Sequence, residues 1–205
     1  MNTNQAKLTI FVYSDYICPY CFIGKLRVEQ ILHDFNVEIE WKMIEIHPET
    51  PENGLAIESL SNPYLPNIWT NIKALASESG IEINFPKYLA NSRLAIIASE
   101  YARKKGKFSE FHEALFNEYW IKGKNISKVD IILNLGEKLK FNTDELSKFL
   151  YSTEGEELLN FNLESSLDDV VTGVPAFVIN GKVVTGAQPY NLIKKVIEKE
   201  LNLCS

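Results

Sequence analysis

Two cysteines separated by two residues are the side chains with the most evident chemistry in this sequence. Cys18 and Cys21 enclose Pro19 and Tyr20 near the start of a chain of 205 residues. A Cys-x-x-Cys pair occurs in zinc sites, in iron–sulfur clusters and in redox-active dithiols. These three kinds of site need different additional ligands and different supporting elements, so the rest of the sequence distinguishes between them.

The other candidate ligands do not complete a metal site. A structural zinc ion needs four ligands, and the remaining candidates are not paired at a zinc-ligand spacing: His33, His47, His112 and Cys204. Covalent haem attachment requires a histidine directly after the second cysteine, where this sequence has Phe22. We therefore predict no metal. We interpret the pair as a redox-active dithiol that needs no separate cofactor, with glutathione as a candidate co-substrate.

The residues around the pair predict that Cys18 lies at the start of a helix. Lys7–Tyr13 is a β-branched and aromatic run of strand length, and the helix-start residues Ser14, Asp15 and Pro19 follow it. The unpaired N–H groups and the dipole at a helix N-terminus stabilise a thiolate. Cys18 is therefore the predicted attacking thiol, and we expect it to be exposed. The second cysteine, one helical turn later, is expected to be less exposed and is its predicted resolving partner.

Strand patterns occur at both ends of the chain. Val37–Ile46 alternates apolar and polar residues, so it predicts a second strand, parallel to the first across the helix. Ala176–Asn180 and Lys182–Thr185 are joined through Asn180 and Gly181, a pair that favours a tight hairpin turn. Tyr190–Leu201 has the apolar spacing of a final helix. The chain thus begins as β-α-β and ends as β-β-α.

The middle of the chain predicts helices only. A loop over Glu49–Asn62 is rich in Pro, Asn and Gly. The helical patterns that follow are Ile68–Ser79, Ser92–Lys105, Ser109–Trp120, Lys128–Leu139 and Thr143–Ser165. We predict an α/β fold in which residues 1–62 form the β-α-β part, residues 63–167 an all-helical insert, and residues 168–205 the β-β-α part.

Composition limits the partners and the location. The net charge is −6 with a pI near 5.2, which disfavours a nucleic-acid surface because phosphate binding needs clustered Lys and Arg. The apolar run at Leu8–Tyr13 is too short for a secretory signal or a membrane span. Together with a reactive cysteine pair, this predicts a cytoplasmic protein that exchanges disulfides with protein or small-thiol substrates.

Several motifs resemble the DsbA-like superfamily, and within it the FrnE-type branch. They are Ser14-Asp15 before the cysteine pair, Gly24 after it, Ile44–Pro48 with Gly54, Asn91–Ala95, Phe111–Trp120 and Gly173–Phe177. The resemblance spans nearly the whole chain. It implies a thioredoxin fold interrupted by a helical domain, dithiol–disulfide exchange as the activity, and Pro175 as a cis-proline that faces the cysteines.

The site residues that follow from this resemblance are few. A cis-proline at Pro175 would turn the backbone of Val174 toward Cys18, where it could bind an extended substrate. From the residues alone, a trans proline before an edge strand is an alternative. Pro19 and Tyr20 are expected to contact substrate and to tune the redox potential.

Two further residues have open interpretations. Asp15 follows the first strand, where it could serve as a helix-cap neighbour or as a proton acceptor for Cys21. Capping is the interpretation that we favour. Cys204 is interpreted as a surface thiol at a frayed end, with a regulatory or intermolecular disulfide as the alternative.

Three function classes are compatible with these features. The first is a dithiol–disulfide oxidoreductase. The second, from the same superfamily, is a glutathione-dependent isomerase or transferase with a single nucleophilic residue in place of the first cysteine. The third is a non-catalytic binding module or chaperone with an apolar cleft. Cys21 favours the first class, because an isomerase has no use for a resolving thiol.

Overall fold

The computed structural model describes residues 7–203 of the protein, so Cys204 lies outside the described residues. The strands are β1 (Thr9–Ser14), β2 (Glu38–Met43), β3 (Leu55–Ala56), β4 (Tyr88–Leu89), β5 (Ala176–Ile179) and β6 (Lys182–Thr185). The α-helices are α1 (Pro19–Asp34), α2 (Leu65–Ser77), α3 (Arg93–Lys104), α4 (Phe108–Phe116), α5 (Val129–Lys138), α6 (Thr143–Leu150), α7 (Thr153–Asp168) and α8 (Tyr190–Leu203).

A four-stranded sheet in the order β2-β1-β5-β6 lies at the centre. β1 runs parallel to β2, with Val12 opposite Trp41, and antiparallel to β5, with Val12 opposite Phe177. β5 and β6 form the predicted hairpin, in which Asn180 and Gly181 both have positive φ. The predicted β-α-β and β-β-α parts are therefore both present, and they share one sheet.

Helices α1 and α8 cover one face of this sheet. Alternate β1 residues, Ile10 and Val12, contact Val28 and Ile31 of α1 and Ile193 of α8 in a buried apolar cluster. The alternation places Phe11 and Tyr13 on the other face. Packing against the sheet fixes the position of α1, and with it the position of the cysteine pair at its start.

The middle of the chain departs from an all-helical insert at one place. β3 and β4 pair antiparallel, Leu55 with Leu89 and Ala56 with Tyr88, and a short 3₁₀ turn follows β3. The loop predicted over Glu49–Asn62 therefore contains a strand. Two residues are too few to show an alternating pattern, which is why the sequence did not indicate it.

The helix predicted over Thr143–Ser165 is also wrong in one respect, because it is two helices. α6 ends at Leu150, and α7 begins after Ser152, whose hydroxyl accepts a hydrogen bond from the Gly155 N–H at 3.1 Å. The break contains no proline or glycine, so the apolar pattern runs through it. A serine cap alone separates the two helices.

Candidate active site

Cys18 lies at the N-terminus of α1, as the sequence predicts. It is the N-cap residue, with an extended backbone, and Pro19 occupies the first helical position. The Cys18 carbonyl accepts the first helical hydrogen bonds, from the N–H of Cys21 at 3.0 Å and of Phe22 at 3.3 Å. The side chain of Cys18 therefore lies beside N–H groups that have no partner within the helix.

The two thiols differ in ionisation. A hydrogen bond with the Cys21 thiol lowers the pKa of Cys18 below its ordinary value, and the backbone N–H groups of Tyr20 and Cys21 act in the same direction. Burial raises the pKa of Cys21 well above its ordinary value, and the neighbouring Cys18 sulfur adds to this rise. Cys18 is the thiol that more readily forms a thiolate.

Cys18 is less exposed than the sequence suggests. Its exposed fraction is 7%, against 0% for Cys21. The sequence placed Cys18 at an open helix end, but residues of the insert cover this side. A substrate must therefore reach the sulfur through a cavity rather than from an open surface.

Val174 and Pro175 come close to the start of α1. The peptide bond between them is cis. The Cys18 thiol contacts the Val174 carbonyl oxygen at 3.7 Å, although the two residues are 156 positions apart. A Cβ atom on Gly24 would lie 2.9 Å from Pro175 Cβ, so only glycine allows the helix to approach this closely. The motifs around the cysteines and around Pro175 form one site.

Asp15 does not cap the helix, so the favoured interpretation of this residue is wrong. Its carboxylate accepts hydrogen bonds from the Ile17 N–H at 3.2 Å, the Ile46 N–H at 2.9 Å and the Ser92 hydroxyl at 3.0 Å. Its backbone N–H donates to the Cys21 sulfur at 3.4 Å. Burial raises the pKa of Asp15 to about 6. β2 ends at Met43, so Ile46 lies outside the strand that was predicted to include it.

Three residues of the insert hold the loop that precedes Cys18. Ser92 donates to Asp15, Trp120 Nε1 donates to the Tyr16 carbonyl at 2.8 Å, and His112 Nδ1 lies 3.1 Å from the Tyr16 hydroxyl. All three side chains are buried. Sequence reasoning did not assign these contacts, because no local pattern links residues so far apart. The resemblance had marked both segments that contain these residues, Asn91–Ala95 and Phe111–Trp120, without giving them a role.

A mainly apolar cavity of about 420 Å³ opens beside the nucleophile. Its walls include Cys18, Pro19, Leu60, Leu65, Ile68 and Trp69. Cys18 and Pro19 come from the start of α1, and the other named residues come from α2 and the segment before it. Tyr20 is half-buried and packs against the hydrophobic core, and its contact with substrate stays a prediction.

Comparison with protein-family models gives a match over residues 9–198 to the DSBA-like thioredoxin domain. The chain belongs to this family. The thioredoxin fold with a helical insert is therefore confirmed. In this DSBA-like chain Cys18 follows β1 and Pro175 precedes β5, and these two strands are neighbours in the mixed sheet.

Individual proteins are similar to this DSBA-like chain over most of its length. The chain is 28% identical to the uncharacterized protein YwbO of Bacillus subtilis, over 93% of this chain and 96% of that protein. A probable DsbA oxidoreductase from Streptomyces coelicolor has a similar structure, with a TM-score of 0.82 at 18% identity over 95% of this chain and 90% of that one. A 2-hydroxychromene-2-carboxylate isomerase gives a TM-score of 0.79 at 18% identity, over 94% and 95% of the two chains.

Two features are absent from the described part of this DSBA-like chain. Within residues 7–203, no group of three or more His, Cys, Asp or Glu side chains is arranged to hold a metal ion. No helix in that range is both long and apolar enough to cross a membrane. The reactive groups that the structure brings together are the two thiols, the buried carboxyl of Asp15 and the backbone at Val174.

Proposed function

We propose that the protein is a dithiol–disulfide oxidoreductase that uses Cys18 as the attacking thiol and Cys21 as the resolving thiol. The observation that carries this proposal is the position of Cys18 at the N-cap of α1, with its sulfur 3.7 Å from the Val174 carbonyl oxygen and Cys21 one turn into the helix. The pKa of Cys18 is lowered and that of Cys21 is raised, which supports the same assignment of roles. A nucleophile must be a thiolate at the start of the reaction, and a resolving thiol must stay protonated until the first step is complete.

The exchange has two steps. The Cys18 thiolate attacks one sulfur of a substrate disulfide, so a Cys18–substrate disulfide forms and the other substrate sulfur leaves as a thiolate. Cys21 then loses its proton and attacks the Cys18 sulfur, which forms the Cys18–Cys21 disulfide and releases the second substrate thiolate. The dithiol gives up two electrons, and the substrate disulfide gains them. The same steps in reverse oxidise a substrate dithiol.

The backbone of Val174 supplies a place for an extended substrate in this proposal. Its carbonyl lies next to the Cys18 sulfur, and its N–H donates to no described residue, since it precedes the first paired residue of β5. A peptide strand next to Val174 would satisfy both groups, which is the usual means by which peptides add to a sheet edge. The substrate sulfur would then lie beside Cys18.

Asp15 is the proposed proton acceptor for the resolving step. Its backbone N–H donates to the Cys21 sulfur, which stabilises the thiolate as it forms. Its carboxyl is buried and has a pKa of about 6. A carboxyl with a pKa near the working pH takes up and returns a proton more effectively than an ordinary aspartate does.

Alkylation of the reduced protein tests the assignment of the attacking thiol. We expect one fast phase whose rate follows the ionisation of Cys18, and we expect Cys18→Ser to abolish it. Cys21→Ala is the matched control, and it should retain a fast phase, shifted to higher pH because the hydrogen bond from the Cys21 thiol is lost. A fast phase that survives in Cys18→Ser would refute the assignment.

A further inference from the structure

We infer that the hydroxyl of Ser14 and the backbone N–H of Asp15 form a two-donor site that stabilises the Cys21 thiolate during the resolving step. This inference rests on the proposed function and adds a residue to its second step. The donors come from consecutive residues, Ser14 at the end of β1 and Asp15 directly after it. The backbone therefore fixes the position of one donor relative to the other.

The alternation of β1 directs the Ser14 side chain toward α1. Ile10 and Val12 face α1 in the buried apolar cluster that joins the helix to the sheet. Successive side chains of a strand point to opposite faces, so Ser14, two residues after Val12, lies on the same face. Its hydroxyl thus meets the first turn of α1, where the group with which it interacts is the Cys21 thiol.

The Ser14 hydroxyl has no other partner within residues 7–203. The residue is fully buried, and its oxygen makes no hydrogen bond to an oxygen or nitrogen atom of that range. A buried hydroxyl without such a partner destabilises a fold, so its presence needs an explanation. A hydroxyl proton rotates to suit its neighbour, and it can therefore turn to the Cys21 sulfur when that sulfur becomes negative.

The second donor is the Asp15 N–H, which lies 3.4 Å from the Cys21 sulfur. Burial raises the pKa of Cys21, and both donors act against this rise. A neutral thiol is a weak acceptor and gains little from them, whereas a hydrogen bond to a charged group is about twice as strong as a neutral one. The two-donor site thus favours the transient thiolate over the resting thiol, as an oxyanion hole favours a developing negative oxygen.

The two-donor site assists exchange in both directions. In the resolving step the Cys21 thiol gives its proton to the Asp15 carboxyl, as proposed above, and the thiolate attacks the Cys18 sulfur of the mixed disulfide. The Cys18–Cys21 bond forms, the bond from Cys18 to the substrate sulfur breaks, and the substrate leaves as a thiolate. In reverse, a substrate thiolate attacks Cys18 and Cys21 leaves as the thiolate. A thiolate of lower pKa leaves faster, so the donors accelerate this step too.

The size of the effect follows from one hydrogen bond. Loss of a hydrogen bond to a charged group should raise the pKa of Cys21 in Ser14→Ala by about one to two. The more basic thiolate is also the better nucleophile, which restores about half of the loss on a logarithmic scale. We therefore expect resolution near neutral pH to slow by about threefold to fifteenfold.

Dithiobis(nitrobenzoate), a disulfide whose thiolate product is coloured, separates the two steps in one experiment. With the reduced full-length protein, attack by Cys18 releases a coloured thiolate at a rate proportional to the reagent concentration. Resolution by Cys21 releases the next one at a rate that does not depend on that concentration. Ser14→Ala should slow the concentration-independent phase by the factor above and leave attack by Cys18 within about twofold of its original rate.

Two further variants show whether the hydroxyl itself is responsible. Ser14→Thr keeps the hydroxyl and should restore most of the lost rate. Ser99→Ala is the matched control, because Ser99 is also buried but its hydroxyl donates to the Ile96 carbonyl at 2.7 Å, and both phases should be unchanged. If the added methyl of Ser14→Thr prevents folding, the pH profile decides. The deficit of Ser14→Ala should narrow as the pH rises, since Cys21 becomes charged in both proteins.

Urea unfolding distinguishes this role from a structural one. Ser14→Ala removes a hydroxyl that has no oxygen or nitrogen partner in residues 7–203, so the urea midpoint of the reduced protein should not fall. Ser99→Ala removes a hydrogen bond and should lower the midpoint. A lower midpoint for Ser14→Ala, with both phases of the coloured reaction slowed alike, would show that Ser14 is structural and would overturn the inference.

The remaining outcomes separate the inference from the proposed function. An unchanged concentration-independent phase in Ser14→Ala would overturn the inference while leaving dithiol exchange intact. A folded Ser14→Thr that resolves as slowly as Ser14→Ala would do the same. If the unsubstituted protein showed no concentration-independent release at all, Cys21 would not be a resolving thiol, and the proposed function would fail together with the inference.

Discussion

Replacing Ser92 by alanine should change the ionisation of Asp15, a buried residue whose backbone N–H donates to the Cys21 sulfur. The Ser92 hydroxyl donates to Asp15 Oδ2 at 3.0 Å, and both side chains are buried. A hydrogen bond to a charged group contributes about 1.5–3 kcal/mol. One pKa unit corresponds to about 1.4 kcal/mol, so loss of this bond should move the pKa of Asp15 from about 6 to between about 7 and 8.

The sign of the effect on stability follows from the same pKa. Burial raises the pKa of Asp15 in the folded protein from 3.8 to about 6, and the negative charge of Glu45 acts in the same direction. The folded state therefore holds this proton more tightly than the unfolded chain does. Asp15 contributes stability that is present below pH 3.8 and is lost as the pH rises through about 6. In Ser92→Ala the loss should continue to between about pH 7 and 8.

Three measurements check this expectation. Urea unfolding at pH 5 and at pH 8 should show that Ser92→Ala is destabilised more at the higher pH, by about 1–3 kcal/mol. A carboxyl carbon NMR titration should give the raised pKa directly. The pH profile of Cys18 alkylation should move to lower pH, because the Asp15 charge raises the pKa of Cys18 and the variant carries less of that charge near neutrality.

Ser99→Ala is the matched control for this experiment. Ser99 is a second buried serine of α3, and its hydroxyl donates to the Ile96 carbonyl at 2.7 Å rather than to a carboxylate. Its loss should destabilise the protein equally at pH 5 and pH 8. If Ser92→Ala behaved in the same way, with an unchanged Asp15 titration, the hydrogen bond would have no influence on the carboxyl and the reasoning would fail.

Three other substitutions have defined outcomes. Cys21→Ala should accumulate disulfides between Cys18 and substrates, seen by non-reducing gel and mass spectrometry; full turnover of this variant with glutathione would instead indicate an isomerase. Gly24→Ala should lower the free energy of unfolding by about 1–3 kcal/mol and slow exchange, because the added methyl overlaps Pro175; unchanged stability in urea would contradict the close contact. Trp120→Phe should cost about 1–3 kcal/mol by leaving the Tyr16 carbonyl unpaired, whereas a neutral effect would mean that water replaces the indole.

The parts of the site that could be predicted from the sequence depend on short-range signals. Pro19 and the apolar run after it indicate a helix that begins at Cys18, and Asn180-Gly181 indicates a hairpin. The role of Asp15 could not be predicted in this way, since its hydroxyl partner, Ser92, is 77 positions away. A capping residue and a residue that binds a distant segment look the same in sequence.

The exposure of Cys18 was misjudged for a related reason. A helix N-terminus is usually open to water, but here the loop before α2 and the start of α2 form a cavity over it. The apolar residues of that wall are half-buried, and their spacing fits core packing as well as it fits a binding site. Only the position of the insert above the sheet decides between these two uses.

The contact between Cys18 and Val174 has a consequence for the order in which the protein becomes active. The cysteines lie near the beginning of the chain and Val174 near its end, with 156 positions between them. During synthesis the thiols leave the ribosome well before the segment that completes their site. Until β5 pairs with β1, the cysteines lack the Val174 backbone that would align a substrate. A truncated or incompletely synthesised chain therefore has both thiols but no backbone to position a substrate beside them. The proposed disulfide exchange would thus reach its full rate only when the last strands of the sheet are in place.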